Sequence, residues 1–142
     1  MTTLVKTENK IKILLVEDNP SDAKLVSLAL KGSDVPHELV VLSNGEAVLD
    51  YLQQNGPYAG SPRPDLVFLD LNLPRLNGVE ILLEIRKDPS LRYLPVVVLS
   101  VSDAPENIRE SYDAGADLFI TKPTDLDHFS FIFQYVTGIF RG

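Results

Sequence analysis

The chain has 142 residues and a formal net charge of -7, from 13 Lys and Arg against 20 Asp and Glu. That is a length for one domain with its own core, and a charge that disfavours attraction to nucleic-acid phosphates. With no cysteine, neither a disulfide framework nor a thiolate metal site is available, and a reducing compartment is expected.

No window is apolar enough to span a membrane, and residues 1–10 lack the apolar centre of a signal peptide. The expectation is therefore a cytoplasmic protein with no membrane or nucleic-acid partner, a polar tail over 1–10 and a folded core over 11–140. Residues 11–16, Ile-Lys-Ile-Leu-Leu-Val, are too continuously apolar for a one-sided sheet and predict a central parallel strand that ends on Glu17-Asp18. Asn19 and Pro20 then supply an N-cap and a first helical position, and Ala23, Val26, Leu28, Ala29 and Leu30 form an apolar stripe up to Gly32. A second strand covers 37–42. Asn44-Gly45 opens a second helix with Ala47, Val48, Tyr51 and Leu52 on one side. Residues 55–64 hold two glycines and three prolines and predict a loop.

The run Leu66-Val67-Phe68-Leu69-Asp70 predicts a third buried strand with a carboxylate at its carboxyl end, closed off by Leu71-Asn72-Leu73-Pro74. A third helix runs from Asn77-Gly78 through Val79, Ile81, Leu82, Leu83 and Ile85 to about Asp88-Pro89. Pro95 to Leu99 is the most β-branched run and ends on Ser100. A fourth helix over 104–114 has only Ile108 and Tyr112 as large apolar residues, a thin anchor where mobility is expected. The fifth strand, 117–121, runs into Lys122-Pro123. A fifth helix over 125–138 has a core stripe of Leu126, Phe129, Phe133, Val136 and Phe140, with Phe131 and Tyr135 turned the other way as a contact face. His37 and His128 show no partner spacing and are expected to be surface or packing residues.

Five strands alternating with five helices predict a doubly wound, flavodoxin-like α/β fold, parallel with order 2-1-3-4-5 and a crevice between strands 1 and 3. Taken singly, Asp70 is as well explained by capping a turn as by chemistry, Glu17-Asp18 by the helix dipole, and Ser100 or Lys122-Pro123 by strand ends. Their joint occurrence at four strand ends is what points to a site. Three carboxylates on one crevice repel one another unless a cation neutralises them, and magnesium suits an oxygen-only set. Ser100 and Lys122 add a hydroxyl and a point charge fitted to phosphoryl oxygens. Asp70 itself is then the simplest nucleophile, forming an acyl phosphate. Asn72 stands two positions on, where a second acid could have promoted hydrolysis, so a persistent modification is expected.

The set Glu17-Asp18, Asp70, Leu73-Pro74 with Asn77-Gly78, Ser100 and Lys122-Pro123 resembles the response-regulator receiver domain of two-component signalling, over about residues 10–138. The resemblance implies a single receiver domain over 1–142 that takes a phosphoryl group from a histidine kinase onto Asp70. It implies Asp18 as a direct magnesium ligand, Glu17 as one acting through water, Asn72 lending its backbone carbonyl, Ser100 as switch hydroxyl and Phe119 as switch aromatic. Lys122 matches the phosphate-binding lysine, and its bond to Pro123 is usually cis in this family. Phe119 replaces a more frequent tyrosine, and Val101 stands where a small residue is usual. Loop length and ending are similar to regulators paired with phytochrome kinases, and such domains often dimerise through helix 4, strand 5 and helix 5. No enzymatic turnover beyond its own phosphorylation and slow dephosphorylation is expected. The competing readings are a magnesium phosphohydrolase, a flavin mononucleotide carrier, which the acidic first loop argues against, and a phosphorylation-independent docking module.

Overall fold

The computed structural model describes residues 10–73, 77–123 and 125–141. The continuously apolar runs become strands β1 (Ile11–Val16), β3 (Leu66–Asp70) and β4 (Val96–Ser100), flanked by β2 (His37–Leu42) and β5 (Leu118–Thr121). They pair in parallel in the order β2-β1-β3-β4-β5, as expected. Between them run α1 (Pro20–Lys31), α2 (Gly45–Gln53), α3 (Gly78–Lys87) and α4 (Pro105–Asp113), and α5 (Leu126–Arg141) closes the chain. Residues 55–64 form a connection with a single 3-10 turn at Gly56–Tyr58, where Tyr58 sets its ring edge-on against Tyr51.

Because side chains alternate across a strand, each strand feeds two cores. Leu14, Val16, Val67, Leu69, Val96 and Val98 face α2 and α3, meeting Val48, Leu52, Ile81, Leu82 and Ile85. Ile13, Leu15, Leu66, Phe68, Val97 and Leu99 face α1 and α5 and pack on Val26, Leu30, Phe129, Phe133 and Val136. Phe133 sits at the centre of the second core, edge-on to Phe68 at 4.6 Å between ring centroids and stacked on Phe129 at 5.3 Å. α4 buries only Ser111 and is the lightly anchored helix that its sequence predicts.

The helix starts follow their caps. Asn19 Oδ1 accepts from the N–H groups of Ser21 and Asp22, Asn44 does the same for Glu46 and Ala47, and Asn77 accepts from Val79. Gly78 is fixed by contact rather than by capping. A Cβ there would fall 2.9 Å from the carbonyl oxygen of Asp70 and 2.9 Å from Leu71 Cα, so only glycine lets α3 start this close to the end of β3.

Some expectations need correction. Leu28, Leu83 and Leu126, assigned to apolar stripes, are exposed. Leu28 and Leu83 each neighbour a core position along the chain but are rotated about 100° from it, beyond the half of the helix that the sheet covers, whereas Leu126 is the first residue of α5 and sits among exposed neighbours at the helix start. α5 continues to Arg141, past the expected end at Gly138. No cis peptide bond occurs among the described residues, so the Lys122–Pro123 bond is trans, unlike the family's usual form. His128 does have a partner, Asp125, one helical turn before it. Pro74, the side chain of Phe140 and tail residues 1–9 lie outside the described residues.

Candidate functional site

Strand register builds the site. Val16 pairs with Leu69, Asp70 with Leu99, and Ser100 with Thr121, so Glu17-Asp18, Asp70, Ser100 and Lys122 all emerge at the same rim of the sheet. Each is held by main-chain bonds that continue the ladders: Glu17 N–H to Leu42 O at 3.0 Å, Leu71 N–H to Leu99 O at 3.0 Å and Lys122 N–H to Ser100 O at 2.7 Å. Asp70, 53 positions after Glu17 and 52 before Lys122, therefore shares one small space with both.

Glu17, Asp18 and Asp70 each bring a carboxylate oxygen to within 4.8 Å of the others, Asp18 being exposed and the other two buried. Opposite them the Lys122 ammonium lies 2.7 Å from Glu17 Oε1, 3.0 Å from Asp22 Oδ2 and 3.4 Å from Asp70 Oδ2. The remaining oxygens are placed by the backbone. Asp70 Oδ1 accepts from the Asn72 N–H at 3.0 Å and Glu17 Oε2 from the Asn19 N–H at 3.2 Å.

The electrostatics follow from four acids facing one base. Burial pushes the Glu17 carboxyl up to about 7; the Lys122 ammonium beside it opposes this, and the neighbouring Asp70 carboxylate reinforces it. Burial would pull the Lys122 ammonium down, but its hydrogen bonds to Glu17 and Asp22 and the charges of Asp70 and Glu17 win and raise it, so it stays charged. Although Glu17 Oε1 approaches the ammonium closely, it has no well-aligned hydrogen-bond donor, a buried carboxylate oxygen with lone pairs unused. Such an oxygen beside two more carboxylates is a donor set for a hard divalent cation. The residues present fit a hard divalent cation.

Ser100 ends β4 fully buried, one residue beyond the register partner of Asp70, and its Oγ accepts from the Ser102 N–H at 3.1 Å. Phe119 lies half-buried in β5, packed against the core beneath α2 and α3. Its N–H donates to the Tyr112 hydroxyl at 3.0 Å, a tie between β5 and α4 that the sequence did not single out. Val101 stands exposed just after the rim. Phe131 and Tyr135 point outward from α5 at 71% and 62% exposure, and Ile139 one turn further extends the same stripe.

The sequence matches the response regulator receiver domain over residues 13–132. The chain belongs to the response-regulator receiver family. Response regulator Rcp1 of a Synechocystis species is 44% identical over 127 residues, covering 89% of this chain and 84% of Rcp1. Among solved structures, the phosphorylated cyanobacterial phytochrome response regulator RcpA superposes with a TM-score of 0.85 at 44% identity, covering 92% of this chain and 94% of RcpA. The Mn(2+)-bound form of Rcp1 superposes with a TM-score of 0.81 at 41% identity, covering 90% and 92%. The receiver fold and two-component membership read from the sequence therefore stand, and the acidic trio has the composition of a receiver's divalent-cation site. No helix among the described residues is long and apolar enough to cross a membrane.

Proposed function

We propose that this response regulator accepts a phosphoryl group on Asp70 from the phosphohistidine of a sensor histidine kinase, of phytochrome type by its likeness to Rcp1 and RcpA. The observation that carries the reading is the Lys122 ammonium 3.4 Å from Asp70 Oδ2, at the rim where the Glu17, Asp18 and Asp70 carboxylates converge. A carboxylate alone repels an incoming phosphoryl dianion, whereas one with an ammonium beside it can be approached. An Asp70 oxygen bonds to phosphorus as the donor's P–N bond breaks, and the electron pair leaves on the imidazole nitrogen.

Magnesium is the cation proposed here, and Asp18, Asp70, Glu17 and the Asn72 carbonyl are the groups that would hold it. When bound it offsets the charge on the transferring oxygens. Lys122 neutralises a further phosphoryl oxygen. The Ser100 hydroxyl leaves the Ser102 N–H to bond another, and Phe119 changes rotamer behind it, so that β4, α4, β5 and α5 carry the signal. Asn72, an amide two positions after Asp70, cannot act as a base toward water, which favours a long-lived phosphoryl state. The chain is proposed to act as a single cytoplasmic receiver domain, catalysing only its own modification and slow dephosphorylation.

Incubation with acetyl phosphate and magnesium tests this directly. Intact mass should rise by one phosphoryl group per chain and the gain should vanish when magnesium is chelated. No gain with magnesium present would refute the reading.

The outward stripe of Phe131, Tyr135 and Ile139 supports a second copy of the chain docking on α4, β5 and α5. Phe131→Ser removes an exposed ring without touching either core. Light scattering should find a two-chain mass for the parent and a one-chain mass for the variant, and equal masses would exclude this face.

A further inference from the structure

We propose that Asp22 is a positioning residue that anchors the Lys122 ammonium so that a divalent ion can share the rim with it, an inference that rests on the metal site proposed above. An ammonium has three N–H bonds, and here three carboxylates surround it: Glu17 at 2.7 Å, Asp22 at 3.0 Å and Asp70 at 3.4 Å. Glu17 and Asp70 also belong to the trio whose oxygens converge on the cation position. Asp22 does not belong to it.

This difference decides how two positive centres can coexist. An ion seated on Glu17, Asp18 and Asp70 draws on two of the oxygens that also neutralise Lys122, and it repels the ammonium across the short distances involved. Asp22 gives the ammonium a carboxylate of its own. Its position is fixed from below: its main-chain N–H donates to the capping Asn19 Oδ1 at 3.1 Å, which sets the first turn of α1. Its side chain is about one-third exposed, so the negative charge is held at the mouth of the site at a smaller desolvation penalty than Glu17. With Asp22 holding one N–H, Lys122 stays at the rim while its other two remain available to phosphoryl oxygens.

Magnesium alone is the probe, titrated calorimetrically into the parent, Asp22→Asn, Lys122→Met and the double variant. Acting through Lys122, Asp22→Asn should weaken magnesium about fivefold in the parent background and less than about twofold once Lys122 is gone, the signature of coupled residues. Asp22→Glu should restore part of the affinity. An equal loss in both backgrounds would make Asp22 a plain surface charge and overturn the inference, as would no loss in either.

A second readout needs no Lys122 variant. At saturating magnesium the 15N signal of the Lys122 ammonium should be protected from solvent exchange in the parent and exchange-broadened in Asp22→Asn, and equal protection overturns the anchor. A parent that binds magnesium while Asp22→Asn behaves identically defeats this inference alone. A parent that binds none defeats the metal site beneath it.

Discussion

Asp70→Asn protein should take up no phosphoryl group under conditions that modify every parent chain, and it should unfold at a higher temperature. The loss of labelling follows from nucleophilicity, because an amide oxygen on the same scaffold does not attack phosphorus. The shape of the site should survive, since the asparagine Oδ1 can still accept the Asn72 N–H that holds Asp70 Oδ1 at 3.0 Å. The gain in stability follows from the charge imbalance. Asp70 is almost fully buried, its contact with Lys122 is the longest of that residue's three, and its carboxylate raises the Glu17 carboxyl, a direct sign of repulsion between the two acids. Neutralising one member of such a cluster relieves more than the long 3.4 Å contact returns. About 1 kcal/mol, or roughly 2–4 °C in Tm for a domain of this size, is the expected gain in the presence of chelator. Stoichiometric labelling of the variant would move the nucleophile elsewhere, and a lower Tm would mean that the Lys122 contact outweighs the repulsion.

The sequence carried the architecture because its signals agree at every level. Strands covered on both faces read as unbroken apolar runs, asparagines mark three helix starts, and each strand that carries a site residue ends on or runs directly into a polar one. Strand order followed from crossover handedness, and the order placed Asp70 beside Glu17 before any coordinates did. What stayed hidden depends on angle and reach. Asp22 reads as an ordinary first-turn acid, and only the path of α1 away from β1 shows that its carboxylate leans back over the rim to Lys122. One signal could have exposed it: three acids within residues 17–22 and a fourth in their rim neighbour Asp70, set against the single lysine Lys122. The Tyr112 hydroxyl on the N–H of Phe119 was equally invisible, since it joins a surface helix to an edge strand through a side chain that reads as merely apolar. Leu28, Leu83 and Leu126 mark the opposite limit, because hydrophobicity alone does not separate a buried position from one just past the covered arc, as for Leu28 and Leu83, or from one at an exposed helix start, as for Leu126.

Lys122→Met should destabilise the protein strongly at pH 8 and much less at pH 5.5, with metal chelated throughout. Methionine fills nearly the same volume, so the loss reports charge rather than packing. Lys122 and Glu17 are 93% and fully buried respectively on their side chains, and removing one member of a buried pair leaves the other uncompensated, typically at about 3–5 kcal/mol. Glu17 can escape that penalty by taking a proton. Its folded carboxyl already stands at about 7 against an ordinary 4.5, because burial and Asp70 outweigh the help from Lys122, and losing Lys122 removes the principal opposing influence. A carboxyl raised in the folded state binds a proton that the unfolded chain has released, so its stabilising uptake is present at low pH and is lost as pH rises through the folded value. At pH 5.5 the variant therefore holds a neutral Glu17 and tolerates the change, while at pH 8 it must either bury a bare carboxylate or keep a proton that the unfolded chain has released, and either costs stability. Lys122 itself titrates above both conditions, its ammonium being raised, so the parent contributes no comparable swing through that group. The check is the Tm difference between parent and variant at the two pH values. A difference of the same size at both would place the lysine's contribution in packing and would remove the coupling between Glu17 and Lys122 on which the electrostatics of the rim depend.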